Sequence, residues 1–97
     1  MADHAVLVHI TALADEDAGL DEVEDPLIEA IELAGVGEFD GNEIGPEGAV
    51  LYMYGPDAEA LWAAVEPVLR SAGLGVGCYA IKRYGPPGAN ESRIELT

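Results

Sequence analysis

The 97-residue chain is poor in reactive and basic groups: one cysteine, two histidines, two serines and four lysines plus arginines. The lone Cys78 excludes an internal disulfide and any cysteine-based metal cluster. His4 and His9 are the only histidines, whereas transition-metal sites want two or more converging imidazoles or thiolates. Ser71 and Ser92 lie at an expected helix end and near the tail, and neither stands in a catalytic serine motif. No apolar run approaches the roughly 18 residues of a membrane span. Met1-Ala-Asp-His4 carries an acid where the basic region of a signal peptide would stand, so a cytoplasmic protein is expected.

Bases are the most telling shortage. Nineteen Asp and Glu face four Lys and Arg, for a formal charge of −15. Residues 1–69 hold 17 of the acids and no base, a formal −17, while residues 70–97 sum to +2. Nucleic-acid binding depends on lysines and arginines displacing counterions, so nucleic acid and anionic membranes are excluded as expected partners. The excess fits a solvated surface, such as one suited to a salt-rich cytoplasm. It also fits an acidic face for a basic partner, centred on Asp15-Glu-Asp17 and Asp21-Glu-Val-Glu-Asp25.

What is present is a chain with 49% hydrophobic residues, enough for a globular domain. A 10.1 kDa chain holds one core, and the area scaling gives a folded surface of roughly 5,300 Å². A single domain over 1–97 is expected. Residues 5–12 are β-branched and apolar on both faces, with Val6, Val8 and Ile10 opposed to Leu7, His9 and Thr11, as in a central strand. Leu20, Val23, Leu27, Ile31 and Ala34 form a helical stripe over about 16–34. Pro26 either opens the ordered helix behind Asp25 or interrupts an acidic first turn. Residues 36–54 predict a hairpin turning at Gly45-Pro-Glu-Gly48, with a bulge at Gly41.

Asp57 is the expected N-cap of a second helix, whose stripe is Leu61, Trp62, Val65, Val68 and Leu69, with Gly73 as its stop. Val76 to Tyr84 predicts a strand, and Arg93 to Leu96 a short edge strand. The order β-α-β-β-α-β predicts a ferredoxin-like two-layer sandwich: a four-stranded antiparallel sheet with both helices on one face, plus a possible edge strand. The expected core is Val6, Val8, Ile10, Leu27, Ile31, Phe39, Leu61, Trp62, Val65, Leu69 and Ile81.

Residues Gly37–Gly45, Leu51–Asp57 and Ile81–Gly88 resemble segments of a group of small, acidic, uncharacterised prokaryotic proteins, the likeness spanning about 5–96. The resemblance implies no activity. ACT-type regulatory modules and dimeric α/β-barrel proteins share the element order as fold analogues.

Few constellations carry chemistry. Asp40-Gly-Asn-Glu-Ile-Gly45 begins like a calcium loop but has Ile44 at the fifth position and Leu51 at the twelfth, so it reads as a turn or bulge. Glu38, Asp40, Asn42 and Glu43 form a candidate polar cluster, with Glu38 and Asp40 on one face by alternation. Cys78 reads as packing, and could reach His9 across neighbouring strands. Gly73-Leu-Gly-Val-Gly77 precedes a strand, which is the wrong context for a phosphate-cradling loop. The candidate ligand face is His9, Tyr52, Tyr54 and Tyr79 with Lys82, Arg83 and Tyr84 at its rim, suited to a small anionic or aromatic ligand or to a second subunit.

The sequence therefore predicts a non-enzymatic binding or regulatory module with no cofactor and no metal, using the open sheet face. It is expected to form a homodimer through Leu7 and either Leu51 and Met53 or Tyr52 and Tyr54. The alternatives are an immunity- or antitoxin-like inhibitor of a basic toxin or nuclease, and a dimeric α/β-barrel enzyme pairing His9 with a tyrosine.

Seventeen acids without a base in the first 69 residues repel one another, and salt screens that repulsion. The screening length falls from about 10 Å at 0.1 M salt to about 3 Å at 1 M. The melting temperature should rise from low salt to about 1 M KCl, read by circular dichroism. A flat or falling trend would mean that the acids are already neutralised by partners.

Overall fold

The computed structural model describes residues 4–11, 21–46, 48–74 and 76–96. These form β1 (His4–Ile10), α1 (Asp21–Ala34), β2 (Glu38–Gly45), β3 (Gly48–Gly55), α2 (Ala58–Ser71), β4 (Tyr79–Arg83) and β5 (Glu91–Glu95). The five strands make one sheet in the order β2-β3-β1-β4-β5, with every neighbouring pair antiparallel. The total accessible surface, 5418 Å², agrees with the size expected from chain mass.

β1 is central, and its alternation divides the molecule. Val6, Val8 and Ile10 are buried, and their register partners on β3 are Met53, Leu51 and Ala49. On the other neighbour, Val8 stands opposite Ala80. These side chains form one core with Val23, Leu27 and Ile31 of α1 and Leu61, Trp62, Val65 and Leu69 of α2. Burying each large aliphatic side chain contributes about 1.5–3 kcal/mol. Opposite this core lies the second sheet face, carrying Leu7, His9, Val50, Tyr52, Tyr54, Tyr79, Ile81 and Arg83.

α1 includes Pro26, so the acidic first turn is helical and the helix does not start at the proline. Gly35 closes it by donating its N–H to the Ile31 carbonyl at 2.9 Å. Asp57 caps α2 as expected, accepting from the Glu59 N–H at 2.9 Å. The Leu20 end of the predicted first stripe lies outside the described residues.

Four expectations are corrected. The sheet has five strands and not four: the C-terminal strand is an integral edge, paired with β4 from Arg83↔Glu91 to Tyr79↔Glu95. The fit to a ferredoxin-like order is therefore partial. Ile81 is not core; it stands opposite Leu7 on the far face, and the small Ala80 and Cys78 take the inner positions beneath α2. Ala34 is exposed, since the stripe runs out at the helix end. β4 begins at Tyr79 and not Val76, because Gly77 takes a left-handed φ of 92° that an extended strand cannot accommodate. The bulge falls where expected, at the register shift between Phe39 and Gly41.

No helix among the described residues is long and apolar enough to cross a membrane.

Leu61 is fully buried on α2, whereas Leu33 is 80% exposed on α1. Leu61→Ala should destabilise the fold by about 2–5 kcal/mol in urea titrations. Leu33→Ala should stay within about 0.5 kcal/mol of the parent. Equal losses from the two would contradict the packing described.

Candidate functional site

The open sheet face holds a cleft of about 340 Å³ at the end where the β2–β3 turn meets the end of β1. Its wall combines His9, Ile10 and Thr11 from β1 and beyond, Glu43 from β2, Ala49, Val50 and Tyr52 from β3, and Tyr79 from β4. Gly45, Pro46 and Gly48 of the turn complete it. Gly48 is required there: its φ is 128°, and a Cβ would stand 2.2 Å from the Ile10 carbonyl oxygen.

Strand register assembles the chemistry. His9 and Tyr79 are Cα partners on β1 and β4, and their rings stack with centroids 4.5 Å apart and planes 10° from parallel. From the strand on the other side of β4, the Arg93 guanidinium lies 3.8 Å from the Tyr79 centroid, a cation–π contact. Arg93 also pairs with Glu95 at 2.7 Å. On the opposite wall, the Tyr52 hydroxyl donates to Glu43 Oε2 at 3.1 Å.

These contacts set the protonation preferences. Half-burial lowers the His9 pKa from its ordinary 6.5, Arg93 lowers it further, and Glu91 partly opposes them. The hydrogen bond to Glu43 holds the Tyr52 phenol protonated and pushes its pKa up.

The seven residues expected to share a ligand face are divided by the sheet. His9, Tyr52, Tyr54, Tyr79 and Arg83 lie on the open face. Lys82 points the other way, since it pairs with Val6 and Ser92 in the inward register. There its ammonium donates to Glu59 Oε1 at 2.5 Å, and the Tyr84 hydroxyl donates to the same oxygen at 2.9 Å. This arrangement raises the Lys82 pKa and lowers that of Glu59. His4 joins it: Nδ1 accepts the Ala58 N–H at 3.0 Å, and the ring meets Tyr84 edge-on. Lys82, Tyr84 and His4 thus fasten the start of α2 to the sheet. Arg83 is engaged locally, donating to the Gly85 carbonyl.

The polar cluster on β2 is likewise dispersed. Glu38 stands opposite Tyr54 at one end, and Asp40 is the extra residue of the bulge, so alternation no longer relates the two. Asn42 faces α1 and donates to Glu24 at 2.9 Å, while Glu43 reaches Tyr52. Among the described residues no three His, Cys, Asp or Glu converge as a metal site. Cys78 is buried on the helix side, with the Thr11 hydroxyl 3.9 Å from its sulfur. Of the acidic run 15–25, residues 15–20 lie outside the described residues.

Sequence reasoning missed Ile10, Thr11, Val50 and the turn residues as parts of the wall, and Arg93 as the partner of Tyr79. Only the β4–β5 register reveals the last, since Arg93 is fourteen positions away along the chain. Comparison with protein-family models, curated proteins and solved structures returns no match.

A histidine with a lowered pKa in the fold binds its proton less readily there than in the unfolded chain. Its contribution is therefore intact above pH 6.5 and is lost as pH falls through 6.5 towards the folded value. The His9 ring protons, followed by NMR, should titrate with a midpoint below 6.5, and Arg93→Gln should move that midpoint upward. A parent midpoint at or above 6.5 would contradict the described environment.

Proposed function

We propose that the chain is a ferredoxin-like sandwich, extended by β5, that acts as a small non-enzymatic binding module with its ligand site in the open-face cleft. The strand order β2-β3-β1-β4 and the two helices packed together support the fold assignment. The observation that carries the function is the cleft itself. It joins the Val50 side chain and the rings of Tyr52 and Tyr79 to a few directed polar groups, the combination that small-molecule sites use. His9 is held by stacking on Tyr79, and Tyr52 by its bond to Glu43, so the walls are set before a ligand arrives. Preorganised walls of this kind serve recognition.

The centre of the same face supports a second proposal, self-association. Leu7 and Ile81 are Cα partners there, both half-buried, with Tyr52 and Tyr54 on the β3 side. Leu51 and Met53 are buried in the core, so the tyrosine alternative is the surface offered to a second copy. Light scattering at high salt should then report twice 10.1 kDa, and a persistent 10.1 kDa species would reject the dimer.

The binding reading is tested by screening small aromatic and heteroaromatic fragments by NMR. Hits should shift the ring signals of His9, Tyr52 and Tyr79 together, and Tyr52→Ala should weaken them roughly three- to tenfold. Hits confined to the crevice between α1 and α2 around Pro26 and Pro67, or none anywhere, would reject it.

A further inference from the structure

We infer that the open-face cleft takes a small organic cation, an ammonium or guanidinium compound with a compact apolar body. This rests on the cleft being the binding site, and it reverses the charge that the sequence led one to expect of the ligand.

Among the described residues that line the cleft, one side chain is formally charged, the Glu43 carboxylate, and none is a lysine or arginine. None of the chain's four bases lines the cleft, and the nearest, Arg93 against Tyr79, has its charge offset by Glu95. Arg70 pairs with Glu66, Lys82 with Glu59 and Arg93 with Glu95, while Arg83 donates to the Gly85 carbonyl. An anion entering the cleft would therefore meet the Glu43 carboxylate directly, and as counter-charge only an Arg93 already paired with Glu95, within the field of a chain at −15. A cation meets the reverse. Glu43 accepts one hydrogen bond, from Tyr52, and a carboxylate can accept about four. The remaining polar groups are the Tyr52 and Tyr79 phenols, the His9 imidazole and the Thr11 hydroxyl. Each has an acceptor lone pair for an N–H donor when His9 is neutral, and the burial and Arg93 charge that lower its pKa favour that form. His9 and Arg93 cover the two faces of Tyr79, so the tyrosine ring that adds attraction for a ligand cation is that of Tyr52. Val50 and the tyrosine rings supply the apolar part of the lining, and about 340 Å³ lies at the small end of the roughly 300–1,000 Å³ typical of ligand sites.

Three probes of one shape and different charge isolate the claim: benzylammonium, benzyl alcohol and benzoate, titrated by NMR at fixed ionic strength. Benzylammonium should shift His9, Tyr52 and Tyr79 saturably, and bind about tenfold or more tighter than either analogue. Glu43→Gln should weaken it about tenfold. Glu38→Gln removes an equal charge at the other end of β2, opposite Tyr54, and should change the affinity less than about twofold at that ionic strength. A dispersed spectrum for each variant confirms that the fold is kept. Benzoate or benzyl alcohol binding the cleft as well as the amine would overturn the cation inference while leaving the binding site standing. Equal losses from Glu38→Gln and Glu43→Gln would reduce the effect to surface charge and overturn it as well. No saturable shift at the cleft with any probe would overturn both readings.

Discussion

The strict two-sidedness of β1 is the constraint on which the rest depends. Three consecutive inward residues, Val6, Val8 and Ile10, hold the sheet to both helices, and the intervening Leu7 and His9 build the opposite face. A strand has a side-chain period of two, so a slip of one residue would exchange the faces entirely. It would put the His9 imidazole among Leu61, Val65 and Leu69 and turn three aliphatic side chains to water. Burial of the inward set makes that slip costly, and so fixes the register that stacks His9 on Tyr79. The site's geometry is thus a by-product of core packing, which makes a small fold precise without a disulfide.

Charge acts on top of this frame. With so few bases, three of the four cations are placed where they bridge elements, while Arg83 donates locally to the Gly85 carbonyl. Lys82 joins β4 to α2 through Glu59, Arg70 reaches the Glu95 carbonyl from the last turn of α2, and Arg93 covers Tyr79. Most of these pairs are exposed and contribute little individually to stability. Their consequence for recognition is larger: none of them pairs with Glu43, the one carboxylate among the described residues of the cleft.

Much of the fold was legible because local signals agreed with one another. α2 combines an Asp57 cap, an apolar stripe and a terminating glycine, and its observed ends match them. The hairpin was legible from its turn and from the glycine that marks the bulge. The parity of β4 was not, since Tyr79, Ile81 and Ala80 leave both faces apolar. Size suggested that Ile81 was inside, yet a helix packed closely on the sheet takes the smaller Ala80 and Cys78. Parity also decided the site. Lys82-Arg83-Tyr84 reads as one cationic rim along the chain, whereas alternation sends its outer members to the helix side. His9 and the tyrosines of the open face were legible as residue types, but their partners were not, because Arg93 and Glu43 come from strands whose register only the assembled sheet defines.

Proton–proton contacts measured by NMR test the central claim most directly, since they report on which side of the sheet His9 lies. The account requires cross-peaks between the His9 and Tyr79 rings, together with cross-peaks from the Tyr79 ring to the Arg93 side chain. It also requires the Val8 methyls to contact helix residues of the core. Cross-peaks from His9 to Leu61, Val65 or Leu69, with Val8 facing Tyr79, would place β1 in the opposite register and remove the cleft.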